Sequence, residues 1–247
     1  MKFFTLALVL LLGACAAGGT RNNADSTSLH RAKIRTELGS AYYAQGLLAT
    51  ALDEFNAAIE MAPDYAVAYV GLGLVHAALN QNSQAQGDFD RALQLDPKSS
   101  EAHNSYGTFL CATGRIDESV KEFLLAASNP LYQTPEIAYL NAGTCALKKN
   151  DQKSAEIYLT QALQLKSGLR QANLPLAQLY FERKEYLTAR HFLQIAMQNT
   201  DPSPEMLWLG VRIEHQLGGG DAESSYAMLL KNKYPNSTQT RAMLSGE

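Results

Sequence analysis

The chain has 247 residues, of which 46% are apolar and 18% charged, and its formal charge is −3. That length holds one large or two small domains with an ordinary buried core. The balance is too acidic, and its Lys and Arg too scattered, for a stripe that tracks phosphates, which argues against nucleic acid as a partner.

Residues 1–14 read as a secretory signal peptide: one positive charge at Lys2, an apolar run from Phe3 to Leu12 broken only by Thr5, then small residues. The run is shorter than the roughly 20 apolar residues that a permanent membrane span needs. Its ending, Leu12-Gly13-Ala14-Cys15, resembles the bacterial lipobox. The resemblance implies cleavage before Cys15, a diacylglycerol on its sulfur and an acylated amino terminus, and two or more acyl chains suffice for stable anchoring. An ordinary secretory leader with a chance cysteine is the other reading. Ala16 follows the cysteine in place of Asp, which in the enterobacterial sorting rule favours the outer membrane. Residues 15–30 carry small and polar side chains with no apolar period, so they are expected to form a lipidated flexible tether. The fourteen residues from Ala16 to Leu29 would reach about 45 to 50 Å at full extension.

From residue 31 the pattern changes to a repeat. Ala66 to Ser99 places Tyr69, Leu72, Gly73, Ala85, Phe89, Ala92 and Pro97 at positions 4, 7, 8, 20, 24, 27 and 32 of a 34-residue unit, which is the tetratricopeptide (TPR) pattern. Small residues let two antiparallel helices approach, large ones fill the space between them, and the proline ends the second helix. Such a unit cannot bury its apolar faces alone, so neighbours of the same kind are expected. Repeats are read at 32–65, 66–99, 100–135, 136–169, 170–202 and 203–236, and their register glycine or alanine falls at 39, 73, 107, 143, 177 and 210. The third repeat departs twice, with Ser119 for the position-20 alanine and a proline-punctuated segment from Ser128 to Pro135 that predicts an irregular turn. Residues 237–247 read as a polar tail that frays. The expected fold is all-α, a right-handed superhelical TPR solenoid of about six helix-turn-helix repeats.

The chemistry of enzymes is missing from the pattern. His30, His76, His103, His191 and His215 have no ligand spacing, so no metal is expected, and His76 and His103 read as satisfied core histidines. Neither a nucleophile elbow nor a P-loop is present, and no cofactor or catalytic residue is expected. Cys111 and Cys145 fall on the first helices of adjacent repeats, which pack side by side. In an exported chain they form either a disulfide or a pair of buried thiols.

TPR arrays commonly hold a partner segment against first-helix positions 2, 5, 9 and 12. Clamp positions that would hold a carboxylate in chaperone-binding arrays carry Thr36, Ser40, Gly71, Glu101 and Ser105, so that use is not expected. The first two repeats instead offer Thr36, Ser40, Tyr43, Val67, Val70 and Leu74, a largely neutral and partly apolar groove suited to an apolar or β-prone partner segment. Packing against neighbouring elements is the competing role for these side chains.

The lipobox, six TPRs, the run NPLY followed by PE-x-AY-x-NAG-x-C, and the last-repeat segment LWLGVRIEHQLGGGDAESSYAMLLKNKYPNS resemble the PilF/PilW family of type IV pilus biogenesis lipoproteins. The resemblance implies a pilotin in the outer membrane with its TPR domain in the periplasm. Such a protein is monomeric when free, touches the membrane through its lipid only, and helps the pilus secretin reach the membrane and form its ring. A lipid-anchored adaptor of another envelope-assembly machine is the alternative.

Overall fold

A computed structural model of the protein describes the backbone over residues 19–246 and the side chains over residues 26–246. Cys15 and the leader lie outside the described residues. Thirteen α-helices and no strand occur among them. They pair as α1 (Gly19–Ala44) with α2 (Leu48–Met61), α5 (Ser100–Ala112) with α6 (Ile116–Ser128), and α7 (Pro135–Lys148) with α8 (Gln152–Leu165), while α3 (Ala66–Ala78) and α4 (Asn82–Leu95) come between α2 and α5 in the chain. Next come α9 (Asn173–Glu182) with α10 (Tyr186–Met197), α11 (Pro204–Leu217) with α12 (Gly220–Lys233), and a last helix α13 (Thr238–Ser245). A 3₁₀ turn over Arg170–Ala172 precedes α9. Pro175, which lacks an N–H, sits in the first turn of α9, where that donor has no intrahelical acceptor in any case. Two compact units divide the chain, one up to Asp88 and one from Phe89 onward.

A small-large-small triplet on the second helix makes the core in the first, fourth and fifth repeats, whereas in α12 only Leu230 is buried. Ala51, Phe55 and Ala58 are at most 2% exposed, and so are Ala155, Leu159 and Ala162, and Ala189, Leu193 and Ala196. Positions three and four apart share one face of a helix, so the triplet forms a stripe whose large central member reaches the first helix of its own repeat. Ser119 keeps this geometry: its buried hydroxyl donates to the Gly107 carbonyl at 2.7 Å. The first-repeat Leu38, by contrast, is 41% exposed, although its repeat-two counterpart Leu72 is buried against Phe55. Phe55 belongs to the repeat before Leu72, and no described helix precedes α1 to cover Leu38 in the same way.

First helices end alike. Gly46, Asn80, Gly114, Asn150, Lys184 and Gly218 all have positive φ between 59° and 84°. After each, the next residue's N–H reaches back to a carbonyl five residues earlier, as from Gln81 to His76 and from Glu185 to Tyr180, both at 2.8 Å. This is the left-handed helix cap, which glycine and asparagine enter most cheaply. Lys184 carries a Cβ into it, at about 1 kcal/mol or more. Lys184→Gly should therefore raise the unfolding free energy by about 1 kcal/mol, measured by urea titration.

Two expectations need correction. Residues 19–30 are not a coil tether but the start of α1. Thr20 to Leu38 holds no glycine or proline, and extending a helix already anchored by packing costs far less than nucleating one. Nor does the tail fray, because α13 is held at both ends of its first turn. Ser237 Oγ accepts from the Thr240 N–H at 3.0 Å, and the buried Thr240 hydroxyl donates to the Tyr234 carbonyl at 2.7 Å. The irregular turn after α6 has a cause as well. The Asn129 side chain accepts from the Leu131 N–H and donates to Ser100 Oγ, each at 3.0 Å.

Candidate functional site

Helices α1 and α3 of the first unit carry the six groove positions, and the structure splits them. Val67 is 51% exposed, while Val70 and Leu74 are half-buried on the same helix. Ser40 is exposed and its hydroxyl donates to the Thr36 carbonyl at 2.9 Å. Thr36 is only 4% exposed, and its hydroxyl meets no hydrogen-bond partner among the described residues. Tyr43 packs against the cluster of Ala51, Phe55, Leu72 and Val75. The accessible apolar part of this surface is therefore Val67, Val70 and Leu74, with Thr36 and Tyr43 behind it.

The second unit has a concavity at equivalent repeat positions. A cleft of about 760 Å³ is floored by Ile137, Leu140, Leu174 and Met206, with Lys166 and Arg170 at its edge. Positions 2 and 5 of repeats four and five read Ile137, Leu140, Gln171 and Leu174, the pattern that picks out Val67 and Val70 in repeat two. The signal for this cleft is thus present in the sequence, but only the register of α7 and α9 brings the two repeats together.

Cys111 and Cys145 join α5 to α7 in a disulfide with Cα atoms 5.9 Å apart. Cys145 is fully buried beside Phe123 and Ala142, and Ser119 Oγ lies 3.3 Å from its sulfur.

Three histidines meet carboxylates across their repeats: His215 Nδ1 lies 3.2 Å from Glu223, and the other two are closer and less exposed. His76 Nδ1 lies 2.5 Å from Asp88, and His103 Nδ1 lies 2.6 Å from Glu122 with Nε2 3.1 Å from the Pro97 carbonyl. Burial pushes the Asp88 carboxyl up, partly offset by its hydrogen bond to His76. The bond to Glu122 above all raises the His103 pKa above its usual 6.5, against some loss from burial. A raised folded-state pKa gives stabilisation that is complete below the unfolded value and is lost as pH rises through the folded one. The Tm advantage of the native chain over His103→Gln should thus shrink in thermal melts as pH rises above the usual histidine value of 6.5, and an advantage that grew with pH would contradict the pairing. No group of three metal-ligating side chains, and no helix long and apolar enough to cross a membrane, occurs among the described residues.

Comparison with known proteins finds models described as TPR repeat over residues 39–80 and as tetratricopeptide repeat over residues 70–132 and 137–168. The type IV pilus assembly protein PilF of Pseudomonas aeruginosa is 28% identical over 240 residues, covering 94% of this chain and 95% of that protein. The crystal structure of PilW, a widely conserved type IV pilus biogenesis factor, superposes with a TM-score of 0.80 at 28% identity, covering 86% of this chain and 98% of that one. The solved structure of Pseudomonas aeruginosa PilF gives 0.79 at 25% identity, covering 92% and 99%. Human DnaJ homolog subfamily C member 3 is 34% identical over 95 residues, which covers 38% of this chain and 19% of that protein.

Proposed function

We propose, from the premise that this chain is a TPR protein homologous to the type IV pilus biogenesis proteins PilF and PilW, that it is a lipid-anchored pilotin for the pilus secretin. The homology supports a role in pilus biogenesis, and the observation that carries the reading is its extent: the match to PilF spans nearly the whole of both chains, beyond any single repeat. A TPR scaffold is an interaction surface, which suits an adaptor that holds and delivers a partner rather than transforming a substrate.

In this reading Cys15 is acylated and supplies affinity for the outer membrane, with the repeats in the periplasm. The exposed face of α3 holds an apolar segment of a secretin protomer. Carriage to the membrane then raises the local concentration of protomers and favours their assembly into a ring. The 51% exposure of Val67, next to half-buried Val70 and Leu74, supports this use of the face.

Pull-down from solubilised envelopes tests the reading. The native chain and Cys15→Ser should both retain the secretin, while only the native chain delivers it to the outer membrane. Val70→Asp should weaken capture about tenfold or more with helicity unchanged, since a carboxylate would have to be desolvated against an apolar segment. Normal secretin rings and surface pili in cells lacking the protein would sink the proposal. Retention of a wall-synthesis or outer-membrane assembly complex in place of the secretin would point to the adaptor of another machine.

A further inference from the structure

The geometry points to a second binding site, in the cleft of the second unit, for an extended peptide segment whose apolar side chains flank a carboxylate. The floor is apolar, with Ile137, Leu140, Leu174 and Met206 each half-buried, so each keeps surface that a ligand can cover. Among the lining residues are two cations and no carboxylate. Lys166 is already paired, 3.1 Å from the buried Glu136. Arg170 is not: it has no ion-pair partner among the described residues, and its Nη1 donates to the Gln198 carbonyl at 2.6 Å. That bond holds the guanidinium beside the cleft and uses one of its five N–H donors, the others having no protein partner among the described residues. A planar fork held in place is suited to a carboxylate, which accepts two parallel bonds.

Asn141, Thr144, Gln171 and Thr200 complete the walls. Side-chain amides and hydroxyls at such a cleft can bond to the backbone of an extended segment, which leaves the apolar floor and the Arg170 guanidinium to select its side chains. The complement is therefore acidic and apolar together. A wholly apolar segment would leave Arg170 unanswered, and a wholly acidic one would not fill the floor. The carboxylate can belong to an Asp or Glu side chain or to a chain's C-terminus. This site is independent of the α3 face, and a chain with both would hold two partner segments.

A test uses the purified full-length protein and fluorescence anisotropy with labelled octapeptides of Leu, Val, Phe and Ser. One arm carries a single Asp at each position in turn with an amidated C-terminus. A second has no Asp and a free C-terminal carboxylate. The neutral isosteres, Asn for Asp and amide for carboxylate, are the controls. At least one acidic arm should bind tenfold or more tightly than its isostere, and which arm does so identifies the source of the carboxylate. Arg170→Gln should reduce the acidic peptides to the affinity of their isosteres. Thr144→Trp, which fills the cleft from an exposed helical position, should abolish the preference for the acidic peptides with circular dichroism unchanged. The loss of acidic preference in Arg170→Gln should be the same in a Val70→Asp background, which separates this site from secretin capture by α3. Absence of any acidic preference, or a preference that survives Arg170→Gln, would overturn the assignment.

Discussion

Phe55→Ala is expected to lower the unfolding free energy by about 3 to 5 kcal/mol, as a denaturant midpoint shift with little change in m. The ring is 2% exposed and clustered with Ala51, Leu72 and Val75. It is also the contact through which one repeat locks onto the next. A Cβ built on Gly39, in the same repeat, would lie 2.8 Å from the ring, and one built on Gly71, in the following repeat, 2.3 Å. Both glycines are therefore occupied by the same aromatic ring, and neither can accept a methyl group unless Phe55 moves. Gly71→Ala should cost about 1 to 3 kcal/mol by overpacking, despite alanine's higher helix propensity. Gly87→Ala is the matched control: nothing lies within 4 Å of its Cβ position in α4, so the same change should stabilise by about 0.5 to 1 kcal/mol. Equal effects at Gly71 and Gly87 would mean that Phe55 does not fill the gap.

Loss of the Cys111–Cys145 bridge should cost about 3 to 4 kcal/mol in the chain-entropy model, given its separation of 34 residues. The double substitution to alanine is the appropriate form, because a serine at the fully buried Cys145 would add a polar group needing a partner. Ser119 retains its bond to the Gly107 carbonyl in that variant, so α5 and α6 stay paired and the loss reports the link between α5 and α7. Urea unfolding with and without reductant measures the effect on the native chain. Mass shift on alkylation tests the bond itself, and full labelling of both thiols without reductant would rule it out.

Much of the helix pairing was legible because its causes are local. The register series at 39, 73, 107, 143, 177 and 210 and the triplets such as Ala51, Phe55 and Ala58 name both helices of a repeat and the faces they bury. Termini were read less well. Polar composition in 19–30 and 237–247 suggested coil, yet one segment extends a helix already made and the other carries a serine cap with a threonine three residues on. The candidate surfaces fall between these cases. Repeat positions located Val67, Val70 and Leu74, but they also gave Thr36, which is buried, and they did not single out the cleft around Leu140 and Leu174.

The sequence by itself determined the all-helical repeat, the paired small and large residues that close each helix hairpin, and the two cysteines placed on neighbouring first helices. Only the tertiary structure decided which repeat positions stay open, which histidines find carboxylates, and that Arg170, beside an apolar cleft, has no ion-pair partner among the described residues. Helix formation and hairpin closure depend on residues within one 34-residue period, which a pattern records. Exposure and charge pairing depend on what a neighbouring repeat brings to the same place, and residues distant in sequence settle that.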